Sequence, residues 1–333
     1  MYAKKIDILK GLLTLQMIFA HCIQFYVDME KNTVALHISE YINLTTFSGF
    51  LFCFGYVSYL AYFRKERREA SWRLLSNAGK LLAGYYVSCF CYVIFVERLP
   101  LRMDMALDLI LLKRLSGWSE FLFSFALVMV IEFLLFPLFA EKKKWGLLVM
   151  TLVSVLACFF PHREVGSIMG SLIGGYGGTF FPVIPYGIYL LAGIWMAKEQ
   201  IKFKKSIFVA ACAGTIWHTI DYIWISCTQP SRFPLSFSYL VGASLFIYLY
   251  YLLAIVLEEK KEGRFVCYLK NVGKNSLFYL LVSNLMIFSL RATSFYKKSM
   301  VYSVSLFLVL LLMIGYLGRI VRGDDRKQLN MLK

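Results

Sequence analysis

Ten stretches of mostly apolar residues recur along this chain, at about 6–27, 41–63, 78–96, 119–140, 145–161, 180–197, 206–227, 235–257, 275–291 and 299–318. A helix of roughly 17–25 such residues crosses the hydrocarbon core of a bilayer, and inside that core only helices and closed barrels satisfy their own backbone groups. With 59% hydrophobic and 17% charged residues and a mean hydropathy of +0.64, a soluble domain could not keep so much apolar surface dry. The pattern predicts an all-α integral membrane protein, a single bundle of about ten transmembrane helices with residues 1–333 forming one domain. No segment between the apolar runs is long enough to bury a core of its own.

Charge sets the expected orientation. If the N-terminus is cytoplasmic, 25 of the 36 lysines and arginines fall in inward-facing segments and 10 in outward-facing ones, with Lys10 inside the first span. Such a bias predicts an N-in, C-in, multi-pass protein of the cell (inner) membrane, with the lipid bilayer as one partner. The net charge of +16 is spread between spans rather than gathered in one patch, so nucleic acid is not an expected partner. Lys4-Lys5 before a long apolar run superficially resembles a signal peptide. No small-residue cleavage site follows His21, and Asp28-Met29-Glu30-Lys31 comes directly after, so the first helix is expected to be retained. The eight cysteines lie mostly in apolar spans, without metal-ligand spacing, and read as small apolar side chains; neither a disulfide framework nor a metal is expected. Composition leaves room for a homo-oligomer.

Two connecting segments stand out. Residues 97–118 contain a short amphipathic run that predicts an interfacial helix, and 163–179 carry six glycines, read as a connecting loop or a lid over a substrate.

Ionisable residues inside membrane helices are costly and point to sites. In the first span Lys10, Thr14, Met17, His21 and Gln24 share one narrow helical stripe, with Asp7 at its edge and Asp28 continuing it. A neutral imidazole at position 21 can take a proton from a hydroxyl; it can also simply bond a neighbouring helix. Lys10, about 16 Å along the axis from His21 at 1.5 Å per residue, either brackets a long ligand with it or snorkels to the inner surface paired with Asp7. Glu132 lies deep in the fourth span and needs a partner or a proton. His218 and Asp221 stand one turn apart in the seventh, reading as a structural hydrogen bond or a proton relay, and Asn284 in the ninth as a helix–helix bond. Arg64, Lys65, Arg67 and Arg68 at the end of the second span could hold the phosphates of a ligand such as coenzyme A, or serve only to fix topology. No HExxH, P-loop, GxSxG or EF-hand pattern is present.

Several of these stretches, in order, resemble the acyltransferase-3 family of membrane acyltransferases. Asp7-Ile8-Leu9-Lys10-Gly11 followed by His21 is similar to that family's D-x-x-[R/K]-G opening and its first-helix histidine. Phe47-Ser48-Gly49-Phe50-Leu51, Phe181-Pro182-Val183-Ile184-Pro185-Tyr186 with Gly193, and Gly273-Lys274-Asn275-Ser276-Leu277 with Tyr279 resemble three further family elements. Lysine at position 10 is a feature of the fucose 4-O-acetylase-like branch, and the heparan-glucosaminide N-acetyltransferase-like branch shares several elements. The chain departs from the pattern at Ser283-Asn284, where the family commonly has histidine, and at Glu120, where it has an aromatic.

The resemblance implies transfer of an acyl group, usually acetyl from cytoplasmic acetyl-CoA, to a hydroxyl of a carbohydrate on the outer side. It makes His21 the general base or transient acyl carrier, with Lys10 and Asp7 supporting it and Arg64, Lys65, Arg67 and Arg68 as coenzyme A contacts. Gln24, Glu132, His218, Asp221 and Asn284 are candidates for the substrate or polar network. The competing readings are a proton-coupled transporter or glycolipid flippase, and a non-catalytic membrane sensor or assembly subunit.

Overall fold

The computed structural model describes residues 4–100, 102–115, 118–140, 144–260, 263–293 and 298–331. Lys142, Lys143, Lys261, Lys297 and Lys333, which enter the charge argument, lie outside the described residues. The helices are α1 (Lys4–Tyr26), α2 (Thr33–Ser58), α3 (Arg67–Tyr92), α4 (Met103–Ile110), α5 (Glu120–Leu134), α6 (Phe136–Ala140), α7 (Lys144–Ala157) and α8 (Ser167–Ile173). They continue with α9 (Val183–Lys198), α10 (Lys205–Ile220), α11 (Phe237–Gly242), α12 (Ser244–Glu259), α13 (Arg264–Lys274), α14 (Ser276–Ala292) and α15 (Met300–Met331). Helices α2, α3 and α10 each run on into one π-helical turn. Among the described residues the only β-type pairing is the isolated bridge between Glu164 and Tyr176.

Each of the ten expected spans falls on helix, but fewer helices are long and apolar enough to cross a membrane unaided. Lys4–Tyr26, Thr33–Phe63, Arg67–Glu97, Phe237–Glu259 and Met300–Val321 are, and α13 with α14 makes a sixth if that pair is one span. The shortfall has local causes. Pro137 cannot donate to the helical ladder, and the fourth expected span divides into α5 and α6 just before it. Trp145–Ala157 and Val183–Lys198 are apolar but short. The segment 260–274, expected to be a connection, is instead largely helix α13, which meets α14 at 82°. Asn275 stands at the corner, its side-chain Nδ2 donating to the Asn271 carbonyl at 2.7 Å.

Burial decides which helices are interior. In both α1 and α2, 72% of the apolar window is buried inside the protein, against 17% for α15. Helix α1 packs against α2, α12, α13, α14 and α15, and α2 in turn against α9. This central position matches two helices that are apolar nearly all round.

Two crossings reach backbone-to-backbone distance because glycine stands at them. A Cβ on Gly11 would strike the Leu269 backbone, and one on Gly273 the carbonyl of Asp7, so α13 lies directly on α1. Gly55 and Gly193 do the same for α2 against α9, meeting the backbones of Leu190 and Phe52. Small residues at such crossings allow dispersion contacts along the whole seam, the chief source of attraction between helices in lipid. Gly273→Ala is therefore expected to lower stability by about 1–3 kcal/mol through overpacking. Gly79→Ala, where nothing lies within 4 Å, should be neutral or slightly stabilising. Thermal unfolding of the two variants in detergent micelles checks the contrast.

Candidate active site

Two cavities flank α1. One, of about 790 Å³, is lined by His21, Gln24, Asn43, Thr46, Phe47, Trp118, Glu120, Phe121, Thr179, Phe181, Arg232 and others. The second, of about 750 Å³, is lined by Lys10, Phe50, Cys53, Ser58, Tyr62, Phe121, Phe125 and Ser276 among others. The polar stripe of α1 thus serves both, His21 at one cavity and Lys10 at the other. Phe121 belongs to both walls, so the cavities are neighbours.

His21 is 7% exposed, and its Nδ1 lies 2.7 Å from Oδ1 of Asn284 on α14. A carbonyl oxygen only accepts, so Nδ1 carries the proton and Nε2 keeps its lone pair. Asn284 is itself fixed, its Nδ2 donating to Ser119 Oγ at 3.0 Å, and Ser119 Oγ lies 2.6 Å from Ser88 Oγ. These bonds join α1, α14, the start of α5 and α3. Trp118 stands edge-on to the imidazole with centroids 5.6 Å apart. Its backbone is held at φ +54°, an uncommon conformation for a bulky residue and a form of local strain that gathers at functional sites. The arrangement is a buried base with one nitrogen anchored and the other available to accept a proton.

Gln24 joins His21 in the first cavity and donates to Ser39 Oγ at 2.7 Å. Lys10 lines the second cavity while its Nζ pairs with Asp7 Oδ1 at 3.1 Å. Glu132 is fully buried, and its Oε2 accepts at 2.9 Å from Oγ of Ser58, a wall residue of the second cavity. Asp28, by contrast, sits outside the span in the α1–α2 connection, where Lys31 holds its carboxyl below the usual range.

The basic cluster lies where α2 gives way to α3, two to six positions past Tyr62, a wall residue of the second cavity. Lys65 pairs with Glu69 at 2.7 Å, whereas Arg64, Arg67 and Arg68 are exposed. None of the four is in the cavity wall itself.

The expected bond between His218 and Asp221 is replaced by others. His218 Nδ1 donates to the Ser238 carbonyl at 3.1 Å, and Asp221 Oδ1 accepts from Ser226 Oγ at 2.6 Å. The neighbouring α11 supplies a backbone acceptor that the sequence of α10 does not reveal. Neither residue lines the cavity at His21.

Sequence reasoning missed Ser119, Trp118, Thr179 and Arg232. Ser119 to Phe121 follow one another at the start of α5, a helix-start pattern that could have been noticed. Arg232 comes from a connection and left no periodic trace.

Taken together, these features define a multi-pass membrane protein with a hydrogen-bonded histidine at an intramembrane cavity. Residues 3–225 match the family model for heparan-alpha-glucosaminide N-acetyltransferase, catalytic. The match covers about two thirds of the chain, and the chain belongs to this family of membrane acetyltransferases. No curated protein matches it. Asn284 and Arg232 lie beyond the matched residues.

Removing the Asn284 amide strands the Nδ1–H of His21 in an apolar interior. Asn284→Leu should therefore lower stability by about 1–3 kcal/mol, read by thermal unfolding, whereas Asn77→Leu, at a half-buried position bonded to Tyr62, should cost less.

Proposed function

We propose that this protein moves an acetyl group from acetyl-CoA, entering from the cytoplasm through the Lys10 cavity (the inner cavity), to a hydroxyl or amine of a carbohydrate in the His21 cavity (the outer cavity). The observation that carries the proposal is the His21–Asn284 pair at a cavity that shares Phe121 with the Lys10 cavity, in a chain whose family transfers acetyl groups. Orientation rests on the excess of basic residues on the N-terminal side, which favours N-in and C-in with ten spans in the inner membrane. The inner cavity suits the slender arm of coenzyme A, being largely apolar with Lys10, Ser58 and Ser276 as hydrogen-bonding points. Arg64, Arg67 and Arg68 near its mouth would hold the phosphates. The named elements also support the acyltransferase-3 resemblance.

When bound, acetyl-CoA supplies an already activated thioester, so the protein's task is positioning and proton transfer. His21 Nε2 takes the proton as the acceptor oxygen bonds the thioester carbon and the carbon–sulfur bond breaks. The same proton then passes to the departing thiolate, giving free coenzyme A and an acetyl ester. Asn284 keeps Nδ1 protonated throughout and so holds Nε2 in the accepting form. A sugar amine would react in the same way to give an amide, and the family's description favours that nucleophile.

Radiolabelled acetyl-CoA, offered with cell-envelope glycans to the purified protein in lipid nanodiscs, tests the proposal. Label should appear in glycan, and His21→Ala should lower its rate by about 10²–10⁴-fold. Chemical deacylation of the product separates ester from amide. Uptake of glycan into proteoliposomes without release of coenzyme A would instead establish a transporter or flippase. A second prediction concerns the shared wall: Phe121→Leu should raise coenzyme A release in the absence of acceptor, relative to transfer, because water reaches the thioester through the thinner partition.

A further inference from the structure

The outer cavity contains a cation that proton transfer does not require. Arg232 lies in the connection between α10 and α11, and its guanidinium carbon is 5.0 Å from the ring centroid of Phe181 and 4.9 Å from that of Phe233. All three residues line the cavity with His21. Contact with two rings holds the group in place, and a guanidinium stacked on aromatic rings meets its partners through the N–H edge in its plane. Its Nε is buried and makes no hydrogen bond among the described residues. Glu120, the acidic residue of the same wall, interacts electrostatically with Arg232 without a hydrogen bond to it among the described residues; its carboxylate accepts from Thr179 Oγ1 at 3.4 Å and occupies the first turn of α5, where the helix dipole favours negative charge. Neutral hydrogen-bonding groups fill the space towards His21, namely Asn43, Thr46 and Gln24.

A guanidinium fork matches the two oxygens of a carboxylate or phosphate, and a neutral sugar would leave it unmatched in a partly desolvated site. We infer that the outer cavity is built for an acidic saccharide whose carboxylate or phosphate is held by Arg232 while a neighbouring hydroxyl or amine reaches His21. Arg232 is then the residue that selects the acceptor. The inference rests on the acetyl-transfer reading for its purpose, but the anion site can be tested without turnover.

Thermal unfolding of the full chain in detergent is followed with glucuronate, glucose 1-phosphate, glucuronamide or glucose, at matched ionic strength and without acetyl-CoA. Glucuronate, glucose 1-phosphate or both should raise the unfolding temperature in a saturable way, and the two neutral sugars should not. A response to glucuronate alone identifies a uronate acceptor, and one to glucose 1-phosphate alone a phosphorylated or phosphate-linked one. Affinity should fall roughly 10–100-fold in Arg232→Gln, as expected for loss of a charge-assisted hydrogen bond. It should fall less in Arg232→Lys, which keeps the charge without the fork and serves if the Gln variant does not fold. His21→Ala should keep the anion response. Equal shifts with neutral and anionic sugars, no shift with either anion, or an anion shift undiminished in the Arg232 variants would overturn the inference. Label transfer to glycan, assayed separately, fails only if the acetyl-transfer reading fails.

Discussion

A polar side chain placed inside a bilayer must find its partner within the protein, since lipid offers none, and the hydrogen bond between His21 and Asn284 answers that demand at the centre of this molecule. It ties together residues 263 positions apart, and through Ser119 and Ser88 it extends to two further helices. One short network therefore fixes the ring of His21 and the mutual register of α1, α14, α5 and α3. The same carbonyl that anchors the helix pair selects the tautomer, so packing and chemistry share a single bond.

That network can form only because α1 is admitted to the middle of the bundle. The glycine seams at α1–α13 and α2–α9 bring backbones close enough for the interior helices to be enclosed on every side. Gly11, Gly49, Gly193 and Gly273 all belong to stretches that carry the family resemblance. A Cβ on each would press on a neighbouring helix, on the Leu13 side chain in the case of Gly49. What resembles a catalytic signature in the sequence is thus in good part a packing signature. It records which helices touch, with His21 and Lys10 carried on the helix that the contacts enclose.

The helices were legible in the sequence because apolar run length and helical periodicity are local properties. The polar stripe of α1 was legible for the same reason, and it leads to both cavities. The partners were not. Asn284 could be read as bonding some helix, but a pairing across most of the chain leaves no local pattern. His218 shows the converse: helical spacing put Asp221 within reach, yet the Ser238 carbonyl on an adjoining helix takes the bond. The sharp corner before α14 has no signature in apolar run length, so residues 260–274 read as a basic connection between two spans. Arg232 was counted only as one basic residue in an outward connection, since aromatic rings from distant segments give it its meaning.

The shared Phe121 wall has an electrical consequence. If the two cavities open towards opposite faces, as the proposed orientation requires, the Phe121 wall they share is where the insulating thickness is least. An energised membrane would then drop much of its voltage across that thin septum, and each unit charge crossing 100 mV gains or loses about 2.3 kcal/mol. A passage that kept both vestibules wet and connected would drain the proton gradient. The apolar ring of Phe121 excludes water and ions from that junction, while the acetyl group, small and uncharged, is what the proposed reaction passes across it.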